Sequence, residues 1–220
     1  RRSPLLTAVG HLTQVGWSRQ PLLDCNLENA RFYALRFLQR FRIKRWDYYG
    51  FTTPGHFFSS TLADLGYAGQ AFIYFVDFAS GHYHEATLTL PFARGVVLPR
   101  NPLRFAAGRF ADSTGGDSAF DNGKVRLAFR HEENARHISV VWPQFAGKDL
   151  AADVRLRVKP DHESMTIVIP MNSTRRFYYN HKINCLPAEG HLTWGDERIE
   201  FKPTGTLGNL DWGRGIWDYR

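Results

Sequence analysis

Apolar and polar residues alternate with a period of two along several stretches of the sequence, and no other feature restricts the fold as strongly. The alternation is unbroken over residues 154–159 and 198–202, and residues 125–130 place Val125, Leu127 and Phe129 on one face. A period of two is typical of β-strands that bury one face in a core and expose the other to water. The strands of a parallel sheet covered by helices would instead be apolar on both faces. The sequence therefore predicts an antiparallel sheet.

Turn residues separate these stretches. Gly195-Asp196 suits a two-residue hairpin, and Asp121-Asn122-Gly123 marks a chain reversal before the next strand. Turn signals about 8–12 residues apart are typical of sandwiches and barrels. We therefore expect a mostly β fold, an antiparallel barrel or barrel-like sandwich of about ten strands. Its interior should contain Val125, Leu127, Phe129, Val154, Leu156, Val158, Ile199 and Phe201.

One segment has the period of a helix. Apolar residues recur at helical spacing from Ala30 to Phe41, which predicts one short helix with Asp24 or Asn26 as its N-cap. The helix would be basic on its outward face and would cover one end of the barrel or pack against a partner. Between Asn29 and Trp46 there are six basic residues and no acid: Arg31, Arg36, Arg40, Arg42, Lys44 and Arg45.

The net charge of +7 raises the question of an anionic partner. A basic surface can attract nucleic acid or anionic lipid. The basic segment, however, lacks the aromatic patterns of RNA-binding sheets. We therefore interpret it as a solvated helix face, and no specific nucleic-acid partner is predicted.

The composition is that of a folded protein. Of the 220 residues, 43% are hydrophobic and 22% are charged, which excludes charge-driven disorder. Cys25 and Cys185 form no metal-binding pattern, and we interpret them as free thiols, which favours a reducing, cytoplasmic location. No run approaches the roughly 18 apolar residues of a membrane helix. An integral membrane protein is therefore not expected.

The common catalytic and cofactor-binding motifs are missing from the sequence. There is no GxGxxG, GxxxxGK(S/T), HExxH or GxSxG, so no cofactor is predicted. His82 and His84 would share a strand face and could chelate a metal. No third ligand follows at a suitable spacing. We interpret both as surface histidines, and no metal site is predicted.

Two carboxylates lie among aromatic residues in the first third of the chain. Burial among aromatic rings raises the pKa of a carboxyl group, which can then act as a general acid. Asp47 and Asp64 are therefore the candidate catalytic residues. The alternative is a hydrogen bond to a backbone amide, which is favoured for Asp64 beside Gly66 and stays open for Asp47. The candidate ligand-binding residues around them are Trp46, Tyr48, His56 and Tyr67.

A second cluster covers residues 178–184. In a strand, its odd-numbered residues would share one face, and its even-numbered residues, which include two amides and one ammonium group, would share the other. An inward polar face would line a cavity, whereas an outward one would be solvated. The alternation does not decide between these orientations. The candidate ligand-binding residues are Asn180, His181 and Lys182.

In a third cluster, residues 211–217, two glycines flank an arginine. Glycine lets the backbone approach another group closely, and Asp211 could orient Arg214 through a charge-assisted pair. The two tryptophans could form the wall of a pocket. The alternative is an Asp–Arg contact where this domain meets another. The candidate ligand-binding residues are Asp211, Trp212, Arg214 and Trp217.

Together these motifs resemble an uncharacterised, mostly bacterial domain-of-unknown-function family, and the resemblance spans nearly the whole chain. It is carried by the Trp-Asp-Tyr-Tyr segment at residues 46–49, the run at residues 62–69, Asn-His-Lys at residues 180–182 and Asp-Trp-Gly-Arg-Gly-x-Trp at residues 211–217. In architecture, the chain is more distantly similar to the paired lipocalin-like barrels of carotenoid hydratases and tocopherol cyclases. This implies that residues 1–220 form a single lipocalin-like β domain, the N-terminal half of a longer two-barrel protein.

Two functions of different classes fit these residues. The first is binding of an apolar or amphipathic small molecule in the barrel, with acid-assisted hydratase, isomerase or cyclase chemistry at Asp47 or Asp64 as a further step. The second is non-enzymatic. In it the motifs form a seam with a second β-rich domain of the same protein, and Asp211 pairs with Arg214 within that seam.

Overall fold

The stretches of alternating residues form strands in the computed structural model, which describes residues 3–102, 116–159 and 162–217. Along the strand that contains residues 126–130, for example, Leu127 and Phe129 are fully buried, whereas Arg126 and Arg130 are exposed. This is the burial pattern that a half-solvated antiparallel sheet requires. The prediction of a mostly β, antiparallel, barrel-like fold is confirmed.

The described residues contain fifteen strands and two short 3-10 helices. The first helix comprises Leu27–Asn29 and the second Arg36–Phe41. In chain order the strands are β1 (Ser3–Pro4), β2 (Gly16–Ser18), β3 (Leu23–Asp24), β4 (Ile43–Thr52), β5 (His56–Asp64), β6 (Ala68–Asp77), β7 (Tyr83–Pro91), β8 (Ser118–Asp121), β9 (Arg126–Glu132), β10 (Ala135–Phe145), β11 (Lys148–Arg157), β12 (Ser164–Pro170), β13 (Phe177–Trp194), β14 (Glu197–Phe201) and β15 (Leu207–Ile216).

Ten of the strands form one continuous, strongly curled path. Within the described residues its order is β7-β6-β5-β4-β15-β13-β11-β10-β9-β8, and every neighbouring pair is antiparallel. β15 therefore lies between β4 and β13, although it is the last strand in the sequence. This placement brings the third sequence cluster between the first and the second.

The long strand β13 joins the two halves of the sheet. Its first half pairs with β12 and β15, and its second half pairs with β11 and β14. The register against β15 shifts between Ile183 and Leu186, where Cys185 adopts a φ of 57°. A bulge of this kind bends a strand and increases its twist, which lets one strand serve both halves.

The predicted interior is confirmed. Six of its eight residues are buried, and Val158 and Ile199 are partly buried against the same core. Both turns also form: Gly195 begins the β13–β14 turn with a φ of 60°, and Gly123 has a φ of 84° before β9. Side chains chosen by the period of two alone therefore meet in one core.

The basic segment contains one short helix, but the α-helix expected from Ala30 to Phe41 does not form. Only Arg36–Phe41 is helical, as a 3-10 helix, and the expected apolar residue Phe37 is 68% exposed. The side-chain amide of Gln39 accepts from the backbone N–H groups of Phe32 and Tyr33. Because these N–H groups are already satisfied, they do not need helical partners, and the loop is stable without an α-helix.

The two predicted N-caps also have other roles. Asn26 exchanges two hydrogen bonds with the backbone of Leu6, at 2.7 and 2.8 Å. Asp24 forms an ion pair with Arg100. Neither residue caps a helix by its side chain, since their oxygens already serve these long-range contacts.

The two thiols are free, as expected. Cys25 is buried and Cys185 is exposed, and burial raises the pKa of the Cys25 thiol to about 12. Among the described residues, neither helix has the length or the hydropathy of a membrane-spanning segment.

Candidate functional site

The sheet separates the predicted site residues onto two faces. Across β4 and β15, Trp46 is opposite Gly213 and Asp47 is opposite Trp212. Because side chains alternate along a strand, Asp47 and Trp212 point into the core, whereas Trp46 points to the outer face. The motif residues therefore do not form one site.

On the inner face, Asp47 and Arg214 form a buried ion pair. Arg214 is 0% exposed and Asp47 is 3% exposed, and their closest N···O distance is 3.2 Å. The hydroxyl of Ser118 donates a hydrogen bond to the other carboxylate oxygen of Asp47. Asp47 is thus enclosed between a guanidinium and a hydroxyl group.

The guanidinium of Arg214 also fastens three chain segments together. It donates to the carbonyl oxygens of Trp46 at 2.7 Å, Gly213 at 2.8 Å and Pro99 at 2.8 Å. Burial lowers the pKa of Arg214, and the charge of Asp47 opposes this effect. An arginine with these acceptors keeps its charge, so the residue is a buried cation at the junction of β4, β15 and the segment after β7.

His181 and Trp212 complete the inner row beside Asp47. His181 is opposite Trp212 across β13 and β15, and both are buried. The Trp212 ring packs edge-on against Tyr179, with ring centroids 5.3 Å apart. The inward face of residues 178–184 is therefore the odd-numbered one, which settles the orientation that the sequence left open.

The outer face carries what we call the outer cluster, which consists of Trp46, Tyr178, Asn180, Lys182, Asp211 and Trp217. Its centre is the carboxylate of Asp211, which accepts from Trp46 Nε1 at 3.0 Å, from Asn180 Nδ2 at 2.6 Å and from Lys182. The expected pair between Asp211 and Arg214 is wrong. Residues three positions apart on a strand point to opposite faces. Asp211 therefore pairs with Lys182 on the outer face, and Arg214 pairs with Asp47 on the inner face.

Glycine allows the aromatic rings of the outer cluster to lie flat on the sheet. A Cβ atom on Gly213 would lie 2.0 Å from the indole of Trp46. The Trp46 ring stacks on Tyr178 at 5.7 Å and contacts Trp217 at 5.6 Å between centroids. The close approach that the two glycines predicted is therefore made within the same protein, at Gly213 to the Trp46 indole and at Gly215 to the carbonyl oxygen of Phe177.

Of the remaining predicted residues, Tyr48 lies beside the outer cluster and His56 lies apart from both groups. Tyr48 is on the outer face, opposite Asp211 across β4 and β15, and burial raises the pKa of its phenol. His56 begins β5, at the other end of that strand from Asp64, with Nε2 3.5 Å from Asp77 and its ring stacked on Phe75. His56 therefore does not meet either candidate acid.

Asp64 lies at one end of the sheet, where β5 turns into β6. One of its oxygens accepts the backbone N–H of Gly66 at 2.7 Å, which is the turn contact of the alternative interpretation. The other oxygen pairs with Arg45. The ammonium group of Lys44 lies over the ring of Tyr67, on the same turn, 4.4 Å from the ring centroid. Both oxygens of Asp64 thus already have donors.

Next to Asp64 is an open pocket of about 550 Å³, which we call the end pocket. Residues of the two 3-10 helices and of the loop between them line it, together with the start of β4, the end of β5 and its turn, and the segment after β7. Its lining is partly apolar and partly cationic: Leu27, Glu28, Arg31, Arg36, Gln39, Arg40, Ile43, Arg45, Asp64, Gly66, Phe92, Ala93 and Val96.

Backbone in unusual conformations shapes this pocket. Phe92 and Ala93 follow one another with φ values of 55° and 52°, and Gly66 has a φ of 85°. Non-glycine residues in the left-handed region are uncommon and occur often at ligand sites. No sequence signal distinguishes Phe92 and Ala93, since either residue would ordinarily be extended at the end of a strand.

The arginines of the pocket are the functional candidates that the sequence reasoning passed over. Arg31, Arg36, Arg40 and Arg45 all belong to the basic segment that was interpreted as a solvated face. Six basic residues with no acid among them were the available signal. It became meaningful only when the fold placed four of them around one cavity.

Comparisons with known proteins identify the family of this chain. The family model described as "Domain of unknown function (DUF2804)" matches residues 1–220. A search of curated proteins found no match.

Solved structures that are similar to the chain include the following two. A protein of Nitrosomonas europaea assigned as AttH has 16% sequence identity and a TM-score of 0.45, and the match covers 81% of this chain and 52% of that protein. Kievitone hydratase from Nectria haematococca has 10% identity and a TM-score of 0.39, with 79% and 48% covered. The chain thus spans about half the length of the solved structures it matches.

Proposed function

The chain belongs to the DUF2804 family of domains of unknown function, and from that premise we propose that it binds an amphipathic small molecule in the end pocket. The observation that carries this proposal is the lining, where apolar side chains and arginines face one cavity. Its volume of about 550 Å³ lies within the range of about 300–1,000 Å³ that is usual for small-molecule sites. A molecule with an apolar part and a polar part suits such a lining.

Binding is favoured over acid catalysis by the contacts of the two candidate acids. Asp64 lines the pocket, but its oxygens accept from Arg45 and Gly66. Asp47 is enclosed with Arg214 and Ser118. A general acid must offer its proton to the substrate within hydrogen-bond reach. We therefore propose a binding protein in which neither Asp47 nor Asp64 acts as a general acid.

Filling the pocket tests this function. We expect Val96→Trp to weaken binding of an amphipathic ligand about tenfold or more, because the indole occupies the cavity (tenfold is about 1.4 kcal/mol). The measurement is native mass spectrometry against alcohols, acids, phosphates and glucosides with eight-carbon chains. Val97→Trp is the matched control, since Val97 is the next residue but is 57% exposed. The proposal fails if no member of the panel binds, or if both variants bind as the wild type does.

A second candidate function, docking of a second β-rich domain, is favoured by the apolar surface beside the outer cluster. Trp17, Met165 and Ile169 are 73%, 42% and 46% exposed, and in register Met165 and Ile169 lie beside Lys182 and Tyr178 of the outer cluster. Contiguous exposed apolar patches commonly mark interaction sites. Under this proposal the outer cluster supports the docking surface without any Asp211–Arg214 pair.

Methionine oxidation tests the docking proposal. In a protein that carries a second β-rich domain beside this chain, we expect peroxide to oxidise Met165 about fivefold more slowly than in this chain by itself. Met171, which lies just outside β12, is the internal control and should change little. Equal oxidation rates of Met165 in both proteins would contradict docking at this face.

A further inference from the structure

The charges that line the end pocket are not balanced. Four arginines and two carboxylates line it. Both carboxylates already have cationic partners: Glu28 pairs with Arg100 at 2.8 Å, and Asp64 pairs with Arg45. Within the described ranges, no carboxylate forms an ion pair with the other three arginines, which are Arg31, Arg36 and Arg40.

The contacts of these three arginines orient them without neutralising them. Arg31 donates to the carbonyl oxygens of Glu28 at 3.2 Å and Ala30 at 2.9 Å, and Arg36 donates to that of Glu28 at 3.4 Å. The guanidinium of Arg40 lies over the ring of Phe92, 5.7 Å from its centroid. A guanidinium has five N–H donors, so these contacts leave donors on each side chain for a ligand.

Three cations that line one cavity repel one another, and the repulsion is relieved when an anion binds between them. The planar arginine fork matches two oxygens of a carboxylate or a phosphate at once. The apolar part of the lining, which includes Leu27, Ile43 and Val96, lies in the same cavity. One ligand can thus bind the arginines with its polar group and bury its apolar part in the same cavity.

We infer that the ligand of the end pocket is an anionic amphiphile, whose carboxylate or phosphate binds Arg31, Arg36 and Arg40 while its apolar chain packs against Leu27, Ile43 and Val96. This inference rests on the proposed function, and it adds the chemical class of the ligand. Arg45 also lines the pocket, but its charge is already matched by Asp64, so it is not assigned to the anion.

The test compares ligands that differ only in the polar end. We would titrate the whole chain by calorimetry with octanoate, octyl phosphate, octanol and inorganic phosphate. At least one of the two anionic amphiphiles should bind about tenfold or more tightly than octanol, and its affinity should fall as salt is raised. Whichever of octanoate and octyl phosphate binds more tightly identifies the anionic group.

Charge-removing variants assign the effect to the arginines. We expect Arg36→Gln with Arg40→Gln to weaken binding of the anionic amphiphile about tenfold and to leave octanol binding nearly unchanged. The double variant Arg94→Gln with Arg130→Gln is the matched control: it removes the same two charges from exposed residues that do not line the pocket, and it should bind as the wild type does.

The possible failures are distinguishable. Octanol binding as tightly as both anions would overturn the anionic inference and leave the proposed pocket standing. The absence of binding by all three chain-bearing ligands and by an octyl glucoside would overturn the proposed function itself. Inorganic phosphate binding as tightly as octyl phosphate would support the arginine site but overturn the amphipathic ligand, because the chain would then contribute nothing.

Discussion

Replacing Arg214 by alanine is expected to lower the free energy of unfolding by about 3–5 kcal/mol. The reason is that Asp47, which is 3% exposed, would remain buried without its cation. The carbonyl oxygens of Trp46, Gly213 and Pro99 would lose their donor as well. Chemical denaturation followed by tryptophan fluorescence measures the change, and a rise in aggregation on heating should accompany it.

The control for Arg214→Ala removes both charges. The double variant Asp47→Leu with Arg214→Met keeps the approximate volume and leaves no buried charge, so we expect it to recover most of the lost stability. If the loss of stability in the double variant equals the sum of the losses in Asp47→Leu and Arg214→Met, the ion pair does not stabilise the fold. An Arg214→Ala variant within about 1 kcal/mol of the wild type would contradict the enclosed arrangement of Asp47 and Arg214.

Gly66→Ala is expected to lower the free energy of unfolding by about 2–4 kcal/mol and to weaken binding in the end pocket. Gly66 has a φ of 85°, and a Cβ atom there would lie 2.0 Å from the carbonyl oxygen of Arg40. Since that oxygen belongs to the backbone of the helix Arg36–Phe41, the whole helix must move away. The pocket wall that carries Arg36 and Arg40 would move with it.

The chain offers a matched control for this effect. Gly123 has nearly the same φ, 84°, but a Cβ atom there would meet nothing within 4 Å. Gly123→Ala should therefore show the backbone cost alone, about 1 kcal/mol. The difference between the two variants measures the contact with Arg40. Equal losses at both positions would show that the helix does not pack on Gly66 as described.

The regular part of the fold was predictable because the signal for it is local. Along β9, for example, Leu127 and Phe129 alternate with Arg126 and Arg130, and a period of two assigns each side chain to a face without knowledge of its partner strand. The short strands β1, β2 and β3 carry too few residues to show a period, so the sequence reasoning did not find them.

The helix was predicted with the wrong geometry because its apolar spacing was outweighed by the hydrogen bonds of one polar side chain. Gln39 binds the backbone of the loop before it, and Phe37 is left exposed. Helical periodicity is a prior that tertiary contacts can override, and a side chain that satisfies the backbone of its own loop is such a contact.

The candidate site was predictable in its residue types but not in its grouping. Asp47 and Arg214 are 167 residues apart, and Asp211 was the nearer partner for Arg214 in sequence. Proximity along the chain was the wrong guide, because the alternation of a strand sends Asp211 and Arg214 to opposite faces. The end pocket was not foreseen as a cavity, although its arginines were noticed as a basic segment.

The sequence by itself determined what each residue does within its own strand: which side chains face the core, where Gly123 and Gly195 turn the chain, and that the sheet is antiparallel. The tertiary structure alone decided which strands are neighbours. It placed β15 between β4 and β13, and so paired Arg214 with Asp47, gave Asp211 to Asn180 and Lys182, and gathered four arginines around one cavity. The physical reason is that alternation acts over two residues, whereas a charge or a cavity depends on whatever the folded chain brings within a few ångströms.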